Sequence, residues 1–231
     1  MLSIVTINKN NRVGLQKTLN SLAQLRRSEF QWVFIDSQST DGSIELAKTF
    51  CAASDILISE ADTGIYNAMN KGITHATQTS VLFLNSGDTL SSKITSFAGL
   101  DLDSQADLYL FGFQIRNQLR KPRRNFWRYW SMPTSHQAII YSSALLKRHQ
   151  FDESYRFAAD FEHYLRINRQ ALKIVRNFMT LIINEPYGSD AHLPKLLLEY
   201  RLALLQNGAP VWWANLVYWA KTHYLKLALK A

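Results

Sequence analysis

Short apolar runs alternate with helical patterns through the first third of the chain, and this alternation restricts the fold more than any other feature of the sequence. Residues 3–7 are rich in β-branched side chains and read as a strand. Residues 13–25 place Leu15, Leu19, Leu22 and Leu25 at helical spacing. The same reading gives strands at 31–35, 55–58 and 81–84, with helices at 44–50 and 65–75 between them. Strands that alternate with helices predict an α/β fold, a mostly parallel sheet covered by helices on both faces. After Asp88 the pattern loosens: strands are expected at 108–115, 138–141 and 178–183, and a helix at 157–169. Helices at 193–205 and 211–229 are separated by Asn207-Gly208-Ala209-Pro210, a stop signal followed by proline. The simplest organisation is a domain over residues 1–192 with a helical extension over 193–231.

The composition suits a globular chain, with 47% hydrophobic and 19% charged residues. A single cysteine, Cys51, leaves no internal disulfide framework and suits a reducing compartment; it reads as buried packing. The first residues lack a basic segment of the kind that opens a signal peptide. No apolar stretch reaches the roughly 20 residues of a membrane span. These features predict a cytoplasmic protein. The net charge of +8 is unevenly placed. Residues 1–115 carry 8 Lys/Arg against 11 Asp/Glu, and residues 116–231 carry 18 against 7. The acidic half suits cations and the basic half an anionic partner.

Ligands of an open parallel sheet bind beyond the carboxyl ends of its strands. Here each early strand ends in small polar and acidic residues: Thr6-Ile7-Asn8, then Asp36 to Gly42, then Glu60 to Gly64, then Asn85-Ser86-Gly87-Asp88. Any one of them could be only a helix cap or a turn. Four at one sheet edge predict a polar pocket with three or more carboxylates. The dinucleotide fingerprint and the P-loop are both absent. Carboxylates tolerate a diphosphate when Mg²⁺ or Mn²⁺ sits between them, so the pocket points to a nucleotide diphosphate held through metal.

These residues carry a resemblance. The segments 3–8 and 35–42 look like the opening of family 2 glycosyltransferases of the GT-A fold. Residues 60–72, Glu-Ala-Asp-Thr-Gly-Ile-Tyr-Asn-Ala-Met-Asn-Lys-Gly, and 83–88, Phe-Leu-Asn-Ser-Gly-Asp, resemble the subgroup encoded in bacterial capsule, O-antigen and colanic-acid clusters. Ser135-His136-Gln137-Ala138 and Ala158-Ala159-Asp160-Phe161-Glu162 are similar to later motifs of that subgroup. The resemblance implies an inverting, metal-dependent enzyme that moves a sugar from a nucleotide diphosphate sugar, a UDP-sugar first among them, to a hydroxyl of a glycan or lipid-linked glycan. It places Thr6, Asn8 and Asp36 around the base and ribose, with Asp62 and Lys71 toward the ribose and diphosphate. Asp88 matches the last acid of the family's Asp-x-Asp metal motif, here Ser86-Gly87-Asp88, and would hold Mn²⁺ or Mg²⁺. Asp160 matches the catalytic base, with Glu162 as the second candidate and His136 as an acceptor or phosphate contact. The pair Ser37-Gln38 departs from the usual acidic or glycine pair, and Ser86-Gly87-Asp88 keeps one acid of two.

Two other readings of the residues stand beside this one. Arg116 to Arg128, interleaved with Phe126, Trp127, Tyr129 and Trp130, could stack bases and hold phosphates, but no recognition motif accompanies them. A nucleotide-sugar binder without turnover would keep the pocket and have no use for a base. On the last helix, Asn215, Thr222, His223, Lys226 and Lys230 share a sector of roughly 80°, with Trp212, Leu216, Trp219 and Leu227 outside it. Lys221 is the one charge out of place. That pattern predicts docking on the anionic inner face of a membrane, with packing on the domain core or on a second subunit as the competing use of the aromatic face.

Overall fold

A computed structural model describes residues 2–100, 102, 105–168, 170–185 and 192–228, with side chains to Tyr224 in the last helix. Four parallel strands form one side of a mixed sheet: β1 (Leu2–Asn8), β2 (Phe30–Asp36), β3 (Ile56–Ser59) and β4 (Ser80–Phe83). The other side holds β5 (Thr89–Leu90), β6 (Leu108–Ile115), β7 (Gln118–Arg120), β8 (Ile139–Ser142) and β9 (Ile174–Ile183). The order is β3-β2-β1-β4-β8-β6-β9-β5, with β7 hydrogen-bonded to β6. Strand β8 runs antiparallel to both β4 and β6, so the parallel block ends at β4. The helices are α1 (Arg12–Leu22), α2 (Ser43–Phe50), α3 (Ile65–His75), α4 (Ser143–Arg148), α5 (Ala159–Ile167), α6 (Leu193–Gln206) and α7 (Val211–Ala228). Elements α4, β5 and β7 are too short to leave a periodic signature, and the sequence reading passes over them.

Period-two alternation explains why the strands read as continuous apolar runs. In β2, Phe30, Trp32 and Phe34 enter one core cluster with Leu15, Leu19 and Leu22 of α1, while Val33 and Ile35 enter the other. In β6, Tyr109 and Phe111 share the first cluster, and Leu108 and Leu110 the second. Both faces are covered, so both sets of alternate residues are apolar. Gly72 lets α3 lie close on the sheet, because a Cβ there would meet Val5 Cγ1 at 2.3 Å.

Helices α6 and α7 share the second cluster: Ala203 and Leu204 of α6 and Ala214 and Val217 of α7 belong to it, with Tyr66 of α3 and Phe161 of α5. Trp213 donates its indole N–H to the Tyr129 carbonyl at 3.1 Å. The helical extension is therefore built into the core of the domain. Among the described residues no helix is long and apolar enough to cross a membrane. Cys51 caps the end of α2, half-buried, and burial pushes its thiol up.

Candidate active site

At the carboxyl edge of the parallel strands, Asp36 is fully buried and fully engaged. Its Oδ1 accepts from Asn8 Nδ2 at 2.9 Å, and its Oδ2 accepts from Ser39 N at 2.8 Å and Ser59 Oγ at 2.9 Å. This network ties the loops after β1, β2 and β3 together and leaves Asn8 Oδ1 as a buried acceptor without a donor. Asn10 and Gln38 take left-handed φ values of 46° and 51° in those loops, a conformation uncommon outside glycine. Asp41 binds Arg12 N at 2.7 Å and Ser43 Oγ at 2.6 Å; the Ser43 hydroxyl is the largest influence holding its carboxyl below the usual range. One carboxylate thus fixes the starts of α1 and α2.

Thr6 stands one step deeper. Its side chain has no exposed surface, and its Oγ1 accepts the Trp32 indole N–H at 3.0 Å within the core. The structure therefore separates Thr6 from Asn8 and Asp36, because β1 buries its polar residue before it reaches the edge. Asp62 accepts from Gly64 N at 3.1 Å. Lys71 Nζ binds Glu60 Oε1 and the Ala61 carbonyl, each at 2.7 Å, and so fastens the β3–α3 loop.

Next to this edge lies a cavity of about 1360 Å³, and it brings together Asp88, His136 and Asp160, which are far apart in sequence. Asp88 is 6% exposed; its Oδ1 accepts from Glu185 N at 2.9 Å and Asn184 Nδ2 at 3.1 Å. Burial pushes its carboxyl up to about 6, against the hydrogen bonds that favour the ionised form. Thr18 of α1 holds the loop from beneath, accepting from Gly87 N and donating to the Asp88 carbonyl at 2.8 Å. Gly87 has φ 109°, and a Cβ on it would lie 2.0 Å from Glu185 Oε2, so no side chain fits between the two acids.

The oxygen atoms beside Asp88 suit a hard divalent cation. Ser86 Oγ and Asn184 Oδ1 line the cavity, buried and without a donor, beside the Asp88 and Glu185 carboxylates. Among the described residues no group of three His, Cys, Asp or Glu stands ready to hold a metal. The protein set is oxygen-only and incomplete, which fits Mg²⁺ or Mn²⁺ sharing its shell with substrate phosphates and water.

Asp160, in the first turn of α5, lines the same cavity. Its Oδ1 accepts from Phe161 N at 2.8 Å and from the Tyr66 hydroxyl at 3.2 Å. Tyr66 is buried and lies beside this carboxylate, and both influences raise its phenol well above the ordinary value. His136 sits in a short 3₁₀ turn with Nδ1 lacking a partner; burial lowers its pKa while Asp160 acts the other way. Glu162 behaves differently. It is 4% exposed, outside the cavity lining, and gripped by Arg166 Nε at 2.8 Å. Two residues along a helix is about 200° of rotation, which turns Glu162 away as Asp160 turns in.

Several residues of the site left no signal in the sequence reading. Glu185 and Asn184 follow β9 in a stretch with no motif, and Tyr66 falls within the 60–72 motif with no role attached to it. Glu199 of α6 accepts from the backbone N–H groups of Arg156, Phe157 and Ala158 at 3.0, 2.7 and 2.9 Å, capping the entry to α5 from a distant helix.

Comparison with known proteins agrees with this architecture. The family model described as glycosyl transferase family 2 matches residues 3–169. An uncharacterised glycosyltransferase of Mycobacterium tuberculosis is 30% identical over 185 residues, covering 71% of this chain and 68% of its own length. A PGL/p-HBAD biosynthesis glycosyltransferase of the same organism is 34% identical over 107 residues, 43% of this chain and 42% of its own. Among solved structures, S. aureus TarS 1–349 with UDP-GlcNAc aligns over 94% of this chain and 70% of its own, with TM-score 0.70 and 18% identity. The mannosyltransferase PcManGT of Pyrobaculum calidifontis, with GDP-Man and Mn²⁺, aligns over 94% and 68%, with TM-score 0.69 and 16% identity. Those two share the fold. The family match, which spans the four strand ends, Asp88, His136 and Asp160, shows that this chain belongs to glycosyl transferase family 2.

Proposed function

We propose that the protein is an inverting glycosyltransferase that moves a sugar from a nucleotide diphosphate sugar, a UDP-sugar first among them, to a hydroxyl of a lipid-linked glycan in bacterial surface polysaccharide synthesis. The observation that carries this reading is the joint placement of Asp88 and Asp160 in one cavity, with Asn8 and Asp36 on the adjoining edge. Asn8, Asp62 and Lys71 take the nucleotide, with Asp36 holding Asn8 in place from beneath, and the unpartnered Asn8 Oδ1 is an acceptor for an N–H of the base. Asp88, with Glu185, Ser86 Oγ and Asn184 Oδ1, would hold Mn²⁺ or Mg²⁺, which when bound supplies charge to stabilise the leaving diphosphate. Asp160 receives the proton of the acceptor hydroxyl as its oxygen forms the new bond to the anomeric carbon and the bond to the diphosphate breaks. Tyr66 and the Phe161 N–H occupy Asp160 Oδ1, leaving Oδ2 for that proton. His136 contacts acceptor or phosphate beside them.

A peripheral position on the inner face of the cytoplasmic membrane fits a lipid-linked acceptor. Trp212 and Trp219 of α7 are 67% and 58% exposed, on the side opposite the buried Ala214 and Val217. Lys226 and Lys230 of the expected polar sector lie outside the described side chains. Donor hydrolysis over a panel of UDP-, GDP- and dTDP-sugars, with Mn²⁺, Mg²⁺ or EDTA, tests the reaction. One donor should be turned over with metal and not in EDTA, and Asp88→Ala should lose both turnover and metal-dependent nucleotide binding. Full activity in EDTA removes the metal role.

A further inference from the structure

The lining of the same cavity also includes basic and aromatic residues: Arg120, Lys121 and Arg123, with Lys221 and Tyr224 of α7. Lys221 is half-buried, with Nζ 5.5 Å from the Trp130 ring centroid and 5.2 Å from that of Tyr200. Among the described residues no carboxylate pairs with Lys221 or Arg123; Arg123 spends one bond on Ser131 Oγ at 3.0 Å. Burial first, and the Arg123 charge second, pull the Lys221 ammonium down to about 8. Two neighbouring cations that no described carboxylate pairs with are unfavourable, and the aromatic rings offset only part of that cost. An incoming anion relieves it. The place matters as much as the charge. The Tyr200 ring stacks on Phe161 with centroids 4.2 Å apart, and its phenol is raised by burial and by Asp160. Tyr200 therefore lies near both Lys221 and the proposed base.

We propose that Lys221 and Arg123 form an anion subsite that holds a phosphate of the acceptor, a phosphorylated glycan, while a hydroxyl of the adjoining sugar reaches Asp160. The inference rests on the reading of Asp160 as base, and it makes α7 part of the acceptor site. The donor diphosphate belongs beside Asp88. A sugar phosphate and a lipid diphosphate-linked sugar present the same group to these cations.

Trp130 lies against Lys221, so tryptophan fluorescence of the full chain can report on the subsite. It is titrated with inorganic phosphate, glucose 1-phosphate, glucose and a polyprenyl diphosphate-linked glucose, with and without saturating UDP and Mn²⁺. The phosphorylated probes should bind at least tenfold more tightly than glucose. Lys221→Gln and Arg123→Gln should each weaken them about tenfold, Lys221→Arg should restore binding, and UDP affinity should not change. Tighter binding of the lipid-linked probe than of glucose 1-phosphate identifies the lipid diphosphate; equal binding identifies the sugar phosphate. No preference for phosphate, or a preference both glutamine variants retain, overturns the subsite. So does a Lys221 dependence seen only with phosphatidylglycerol vesicles. Loss of UDP binding with the phosphate preference intact would remove the donor reading and leave the subsite standing.

Discussion

Asp160 and Glu162 share one turn of α5, and their surroundings give them different chemistry. Asp160 faces the cavity with one oxygen bonded to Tyr66 and Phe161, whereas Glu162 spends both oxygens on Arg166, at 2.8 and 3.1 Å. Asp160→Asn should keep the fold and the nucleotide affinity and lose about 10²–10⁴ in transfer rate, as removal of a general base does. Glu162→Gln should retain transfer but lower stability by about 1–3 kcal/mol, since Arg166 is left partly buried with a weaker partner. Single-turnover rates beside thermal melts of the two variants check this. A rate loss in Glu162→Gln as large as that in Asp160→Asn would exchange their roles.

At the level of elements, α5 is held by groups from outside itself. Ala158 at its N-cap offers no side-chain acceptor, and Glu199 of α6 supplies one to three successive backbone N–H groups. Glu199→Ala should cost about 1–3 kcal/mol and lower kcat with little change in the donor KM, because Asp160 loses its placement while the nucleotide edge is untouched. On the inner face of the same helix, His163 is fully buried, bonded through Nε2 to the His149 carbonyl at 2.7 Å, and burial drives its pKa from 6.5 down to about 3. Below pH 6.5 the unfolded chain protonates this histidine and the folded chain does not. Stability should therefore be complete above 6.5 and fall by about 1.4 kcal/mol for each pH unit from there toward 3. Melts of His163→Gln between pH 7 and 4.5 should show a shallower decline than the parent; an identical slope would place the acid sensitivity elsewhere.

Across the whole molecule, α7 serves two sides. Ala214 and Val217 face the core, Lys221 faces the cavity, and Val211, Trp212, Leu216 and Trp219 remain outside with Phe126 and Trp127 of the neighbouring segment. Exposed aromatic side chains with nearby lysine and arginine suit a headgroup layer, where each cation adds about 1 kcal/mol. Anionic liposomes should sediment the protein, and salt or replacement of Trp212 and Trp219 by serine should release it. Those two positions lie outside the core, so the variants should melt like the parent. Protein that stays in the supernatant with anionic liposomes at low salt would confine α7 to its packing and cavity roles.

The sequence by itself determined the order of the longer elements and the sheet edge at which the polar strand ends gather. Alternation and helical spacing are local signals, repeated every two or 3.6 residues, and α3 at Ile65–His75 and β6 at Leu108–Ile115 have the bounds that those signals predict. Only the tertiary structure decided which side chains share the cavity. Thr6 lies in the same polar strand end as Asn8, yet the Trp32 indole takes it into the core. Lys221 breaks the polar sector of its helix because Trp130 and Tyr200 surround it. Glu185 and Glu199 reach Gly87 and α5 across 98 and about 40 residues of chain. Such placements depend on what packs against a helix from elsewhere, and no periodicity of the helix itself carries that information.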